Sequence, residues 1–178
     1  MGRLRRHGAR ATRADPANHS RVDVLGERSS GGIEIAAVQS FPEPVARAIR
    51  RVSQAHPELQ LKGSSWVNLG PRQLVEWGLP DGFATRLIVH RIGAKLTLHL
   101  LARTDLVALK LFAASDDLGP RQEIHLADLT ELRPSEKEVE SAIRWIERLP
   151  DPNGRVRSEL KRIVEELGYE GIARYISL

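Results

Sequence analysis

Residues 86–114 read RLIVHRIGAKLTLHLLARTDLVALKLFAA, and this stretch decides the fold class. Two runs rich in aliphatic and β-branched residues, 86–92 and 95–101, flank Gly93-Ala94. Runs of that kind around so short a break predict an antiparallel hairpin. A few residues later the pattern changes. From Thr104 to about Ala114 the composition and spacing are helical, with Thr104 placed to cap the first turn and Asp105 to complement its dipole.

Working outward, residues 1–21 show no apolar periodicity, and Asp15-Pro16 and Asn18 mark turns. Residues 21–25 alternate, and residues 32–38 place Ile33, Ile35 and Ala37 on one side. The polar, Gly-rich loop between them predicts a second hairpin. A helix then opens at Pro42 and Pro44, carries Val45, Ala48, Ile49 and Val52 as its stripe, and stops at Pro57. Residues 64–80, with Trp66 and Trp77, read as turns and short helix. Downstream, a short helix is expected over 123–132. Ser135 and Glu138 form a capping box for the next, whose stripe is Val139, Ala142, Ile143 and Ile146. A last amphipathic helix spans 155–167 and ends at Gly168. Strands with one helix, then a hairpin, then helices make an α+β order. The expected division is a basic irregular head over 1–20, an α/β core over 21–115 and a helical segment over 116–178.

Composition excludes several classes. The 178 residues contain no cysteine, so disulfides, thiolate zinc sites, iron–sulfur clusters and cysteine nucleophiles are ruled out. No apolar run approaches the roughly 18 residues of a membrane span. No apolar core follows the N-terminal arginines, so the expectation is a cytoplasmic protein without membrane contact. The whole charge excess lies in residues 1–28, with seven arginines against Asp15, Asp23 and Glu27. Such a head either attracts phosphates or reflects a general arginine bias, since arginines number 22 and lysines 5. There is no glycine-rich phosphate loop, dinucleotide fingerprint, HExxH spacing or nucleophile elbow.

Three residues stand out. Lys110 lies in an otherwise apolar helix, where a lysine must reach the surface along its stem or find an anionic partner. Asp128 lies between Leu126 and Leu129, either facing a pocket shared with Lys110 or standing as an exposed helix acid. Asp23 is a strand carboxylate between Val22 and Val24, suited to a hard cation if a second acid converges on it.

From about residue 64 to 169 the chain resembles the bacterial nucleotidyltransferase-like proteins of the DUF6036 type. These are relatives of the AbiEii-type toxin components of abortive-infection and toxin–antitoxin systems. The resemblance is carried by Trp66-Val-Asn68, by Leu79-Pro-Asp-Gly-Phe83 with Arg86, and by the hairpin. It continues through Asp105-Leu-Val-Ala-Leu-Lys110 and Asp128-Leu-Thr-Glu-Leu-Arg-Pro-Ser135, then Glu138, Ala142 and Trp145. It implies a partial nucleotidyltransferase-like mixed sheet with flanking helices, and transfer of a nucleotidyl group from an NTP to an RNA or protein hydroxyl. In that scheme Asp23 with Asp15 would hold Mg2+, and Arg10 or Arg13 would steady the triphosphate. Lys110 would neutralise phosphate charge, and Asp128 would hold Lys110 or act as a base. The partners implied are an NTP, RNA and a cognate antitoxin. Only seven residues precede Gly8, the Gly-Ser loop of the family is missing, and 95–101 contains no acid. The expectation is therefore an N-terminally truncated member. A non-catalytic homologue that binds a partner protein or nucleic acid is the alternative.

Overall fold

Helix α4 (Arg103–Asp116) is apolar around most of its circumference, which requires neighbours on several sides. The computed structural model, which describes residues 22–28, 34–57, 66–94 and 96–177, supplies them. Helices α5 (Pro120–Leu132), α6 (Glu136–Ile146) and α7 (Arg155–Glu166) all pack on α4, and α8 (Glu170–Ala173) closes against α7. The core joins Val107, Leu111 and Ala114 of α4 to Leu129, Val139, Ile146, Leu160, Ile163 and Val164, none more than marginally exposed. The amphipathic stripes of α6 and α7 are the faces turned inward.

Local signals fix where these helices begin. The capping box of α6 forms as expected: Ser135 Oγ accepts from Glu138 N, and the Glu138 carboxylate accepts from Ser135 N. Helix α7 follows Gly154, and the Asp151 carboxylate accepts from the N–H groups of Val156 and Arg157. Helix α4 departs from expectation. Its N-cap is Ala102 with no side-chain bond, and Thr104 lies inside the first turn. Asp105 is fully buried, with Arg86 donating to it through Nε (3.0 Å) and Nη2 (2.6 Å).

Arg86 ends the short helix α3 (Phe83–Arg86), which starts after Gly82. Gly82 has φ +72°, and a Cβ there would lie 2.8 Å from Arg86 Nη1, which donates to Asp81 O. Only glycine serves both needs. Upstream, α2 (Gln73–Trp77) brings Trp77 edge-on to Phe112, which meets Trp145 edge-on in turn. Trp145 Nε1 donates to Gly78 O. Strand β3 (Ile35–Ala37) packs on α2 and pairs with β2 (Gly26–Arg28).

The predicted hairpin is present as β5 (Ile88–Ile92) and β6 (Leu96–Leu100), antiparallel, with Ile88 opposite Leu100 and Ile92 opposite Leu96. The first hairpin is shifted: among the described residues the strand paired with Ile35–Ala37 (β3) is Gly26–Arg28 (β2) and not Val22–Asp23 (β1), which runs parallel to Val67–Asn68 (β4). A bond from Val22 N to Trp66 O begins that ladder, and one from Val24 N to Asn68 O continues it. Helix α1 (Glu43–Ala55) follows its proline signals, and Trp66 Nε1 donates to Ile49 O.

The class is α+β, small sheets with flanking helices. The chain forms two compact units, residues 1–26 with 38–72, and residues 27–37 with 73–178. Within the second unit, α4 packs with the helices that follow it. The basic head over 1–20 lies outside the described residues.

Candidate functional site

A lysine in an apolar helix needs an anion, and Lys110 has one. Its Nζ lies 2.6 Å from Asp128 Oδ2, the two side chains 26 % and 16 % exposed. Lys110 faces outward from α4 while its neighbours Leu111 and Val107 face the core. On α5, Leu129 is buried in the core, and Asp128 beside it turns to the seam between the two helices. An ammonium carries three N–H donors. Here the head is in ion-pair contact with Asp128, and the lysine side chain as a whole stays partly exposed.

The seam holds a second pair, which the sequence reading did not single out. His125 stands one turn before Asp128 on the same face of α5. Its Nε2 lies 3.2 Å from Asp117 Oδ2, just past the end of α4. Burial, and then the positive charge of Lys110, push the His125 imidazole below its usual value. Asp117 and Asp128 pull the other way without offsetting this. A neutral ring that donates from Nε2 to Asp117 presents Nδ1 as an acceptor, and that atom is buried with no partner among the described residues. One turn earlier again, Gln122 Nε2 donates to Ala114 O, and its Oε1 accepts from Arg162 Nη2 on α7. Arg162 also binds Glu159 and Glu166. The polar strip therefore runs from Lys110 along α5 to α7.

Asp23 belongs to the other unit. Its Oδ1 accepts from Asn68 Nδ2 at 2.8 Å, and Asn68 Oδ1 accepts from Gly70 N. The parallel β1–β4 pairing explains this meeting of residues far apart in sequence. Asp15, Arg10 and Arg13 lie outside the described residues. Among the described residues no group of three or more histidine and carboxylate side chains is placed to hold a metal ion. Asp23 with its amide partner does not by itself make a magnesium site. No described helix is long and apolar enough to cross a membrane.

The arrangement holds the Lys110 ammonium in a fixed place against a carboxylate. Asp128 sets the position of the Lys110 ammonium, and the helices on both sides set the position of Asp128. No protein-family model, curated protein or solved structure matches the chain.

Proposed function

We propose that the chain is a nucleotidyltransferase-like protein that receives the triphosphate of an NTP at the Lys110–Asp128 pair. The observation that carries this reading is the pair itself: a lysine on an apolar helix, held by a carboxylate of the next helix and still open to solvent. It is the pairing that the resemblance over 64–169 implies. In the reaction, an RNA or protein hydroxyl oxygen attacks the α-phosphorus. The bond from that phosphorus to the bridging oxygen of the β-phosphate breaks, and pyrophosphate leaves. The hydroxyl proton passes to solvent. Lys110 neutralises charge gathering on the departing phosphates, the kind of preorganised contact that lowers a barrier most. Asp128 keeps the ammonium from swinging away between turnovers. Magnesium, the metal this reaction class uses, would neutralise phosphate charge when bound. A toxin–antitoxin or phage-defence setting belongs to the same proposal.

The test uses the purified chain with magnesium, each α-labelled NTP in turn, and total bacterial RNA. Label is expected on RNA or on the protein, abolished by EDTA. Lys110→Ala is expected to lower the rate by at least ~10²-fold, with far-UV circular dichroism unchanged. Equilibrium dialysis against the same nucleotides reads binding apart from transfer. Binding that needs Lys110 without transfer supports the non-catalytic alternative. A folded wild type that neither binds nor transfers any of the four nucleotides overturns the assignment.

A further inference from the structure

The turn between α6 and α7 reads Leu149-Pro-Asp-Pro-Asn-Gly-Arg155, and it holds a reactive pair. The backbone nitrogen that follows an asparagine can attack the side-chain Cγ and close a five-membered imide ring. A side chain on the following residue obstructs that closure, and glycine has none. Among Asn18, Asn68 and Asn153, only Asn153 precedes a glycine. Asn153 and Gly154 are both exposed, and the Asn153 side chain is held by no hydrogen bond among the described residues. Gly154 has φ +66°, and nothing lies within 4 Å of where a Cβ would stand, so a ring has room to form. The attacking N–H donates to Asp151 O at 3.2 Å, at the long end of the range for such bonds and in an exposed turn.

Two other places show what restraint looks like. Asn68 is held at both ends, its Nδ2 donating to Asp23 Oδ1 and its Oδ1 accepting from Gly70 N, and Leu69 follows it. Asp81-Gly82 has the right neighbour for the same ring. The hydrogen bond and charge of Arg148 hold the Asp81 carboxyl below its usual range, and an ionised carboxylate resists a nucleophile. Asn153 has neither restraint.

We propose that Asn153-Gly154 is a site of self-catalysed deamidation. The Gly154 nitrogen bonds to Asn153 Cγ, the Cγ–Nδ2 bond breaks, and ammonia leaves with the proton that the Gly154 nitrogen gives up. Water then opens the imide. Cleavage at Cγ gives aspartate, and cleavage at the main-chain carbonyl gives isoaspartate, whose backbone runs through Cβ.

The two products act oppositely on α7. Its first turn contains no acid, so an aspartate just before it complements the helix dipole. Isoaspartate inserts one carbon between residues 153 and 154. The Asp151 carboxylate reaches across that point to the N–H groups of Val156 and Arg157, so the longer backbone takes the cap out of register. The turn therefore records the age of the molecule, with the isoaspartate form loosening the start of α7. None of this depends on nucleotide binding at α4 and α5.

The experiment ages the full chain at 37 °C at pH 8 and at pH 6, then follows the tryptic peptide 149–155 by chromatography and electron-transfer mass spectrometry. The native chain is expected to lose the Asn153 amide and yield both products, at least fivefold faster at pH 8, where the nitrogen gives up its proton more easily. The peptide containing Asn68 is expected to keep its amide. Gly154→Ala is expected to slow the loss at least tenfold, and Asn153→Gln, which leaves the backbone of the turn alone, to abolish it. Chains enriched in isoaspartate are expected to have a lower urea midpoint than fresh chains, and Asn153→Asp an equal or higher one. Loss of the amide in urea but not in the native chain overturns the proposal, because the fold then withholds the site. Equal loss at Asn68, or an unchanged rate in Gly154→Ala, overturns it as well.

Discussion

Removing Arg86 and removing the charge of Asp105 break the same two hydrogen bonds, yet their costs are expected to be unequal. Asp105 is wholly buried, whereas Arg86 is 36 % exposed and keeps a second acceptor in Asp81 O. Methionine at position 86 retains most of the stem but strands a carboxylate where water does not reach. An uncompensated buried charge costs about 3–5 kcal/mol. The value expected for Arg86→Met is about 3 kcal/mol, near the lower end, because Asp105 sits in the first turn of α4 and keeps the favourable dipole there. Asparagine at position 105 preserves volume and one acceptor oxygen, and the freed guanidinium turns toward solvent. That change is expected to cost about 1.5–2 kcal/mol, the lower part of the range for a hydrogen bond to a charged group. Urea denaturation followed by far-UV circular dichroism reads both values. The double variant is expected to cost less than the sum of the singles, since asparagine leaves no stranded charge. If Asp105→Asn costs as much as Arg86→Met or more, burial does not set the asymmetry and the reasoning fails.

Two further outcomes follow from the same packing. Leu111→Ala, at a fully buried position on α4, is expected to cost about 3–5 kcal/mol, and Leu109→Ala, at a half-buried one, less than about 2; equal urea midpoints for the two variants would contradict the placement of the core. Stability is also expected to depend on His125. Its folded value is depressed below the ordinary 6.5, so the unfolded chain takes up the proton first. The contribution is complete above about 6.5 and is lost as pH falls through the folded value. The urea midpoint of the wild type should drop between about pH 7.5 and 5.5 more steeply than that of His125→Gln; parallel profiles would exclude His125 as the source. Glu138 does not confuse this window. Burial pushes its carboxyl up, but hydrogen bonds from Ser135 and the charge of Arg103 outweigh that and hold it below 4.5.

What the sequence shows of this fold is what short-range chemistry controls. The β5–β6 hairpin, the Ser135–Glu138 capping box and the end of α7 at Gly168 each rest on residues within a few positions of one another. Lys110 and Asp128 were legible because a charge in an apolar helix must be answered. The start of α5 carried its own signal, Pro120 just after Gly119, which moves the N-terminus upstream of 123. Contacts between distant segments were not visible. Val22 finds Val67, and Asp23 finds Asn68, through a parallel pairing that no local pattern announces. Asp105 reads as a dipole partner in sequence, and only the fold brings Arg86 over it. That α5, α6 and α7 would all gather on α4 is likewise a matter of distant contacts.

The central position of α4 has a kinetic meaning. With helices on several sides of it, α4 buries Val107, Ala108, Leu111, Phe112 and Ala114, and the amides of this stretch are expected to have few local routes to solvent. They should exchange their protons only when the whole unit opens, whereas hairpin amides exchange through small local fluctuations. Lys110 is therefore mounted on the segment expected to exchange most slowly in the unit. Its ammonium is expected to keep its place through every partial opening that leaves both α4 and Asp128 on α5 intact.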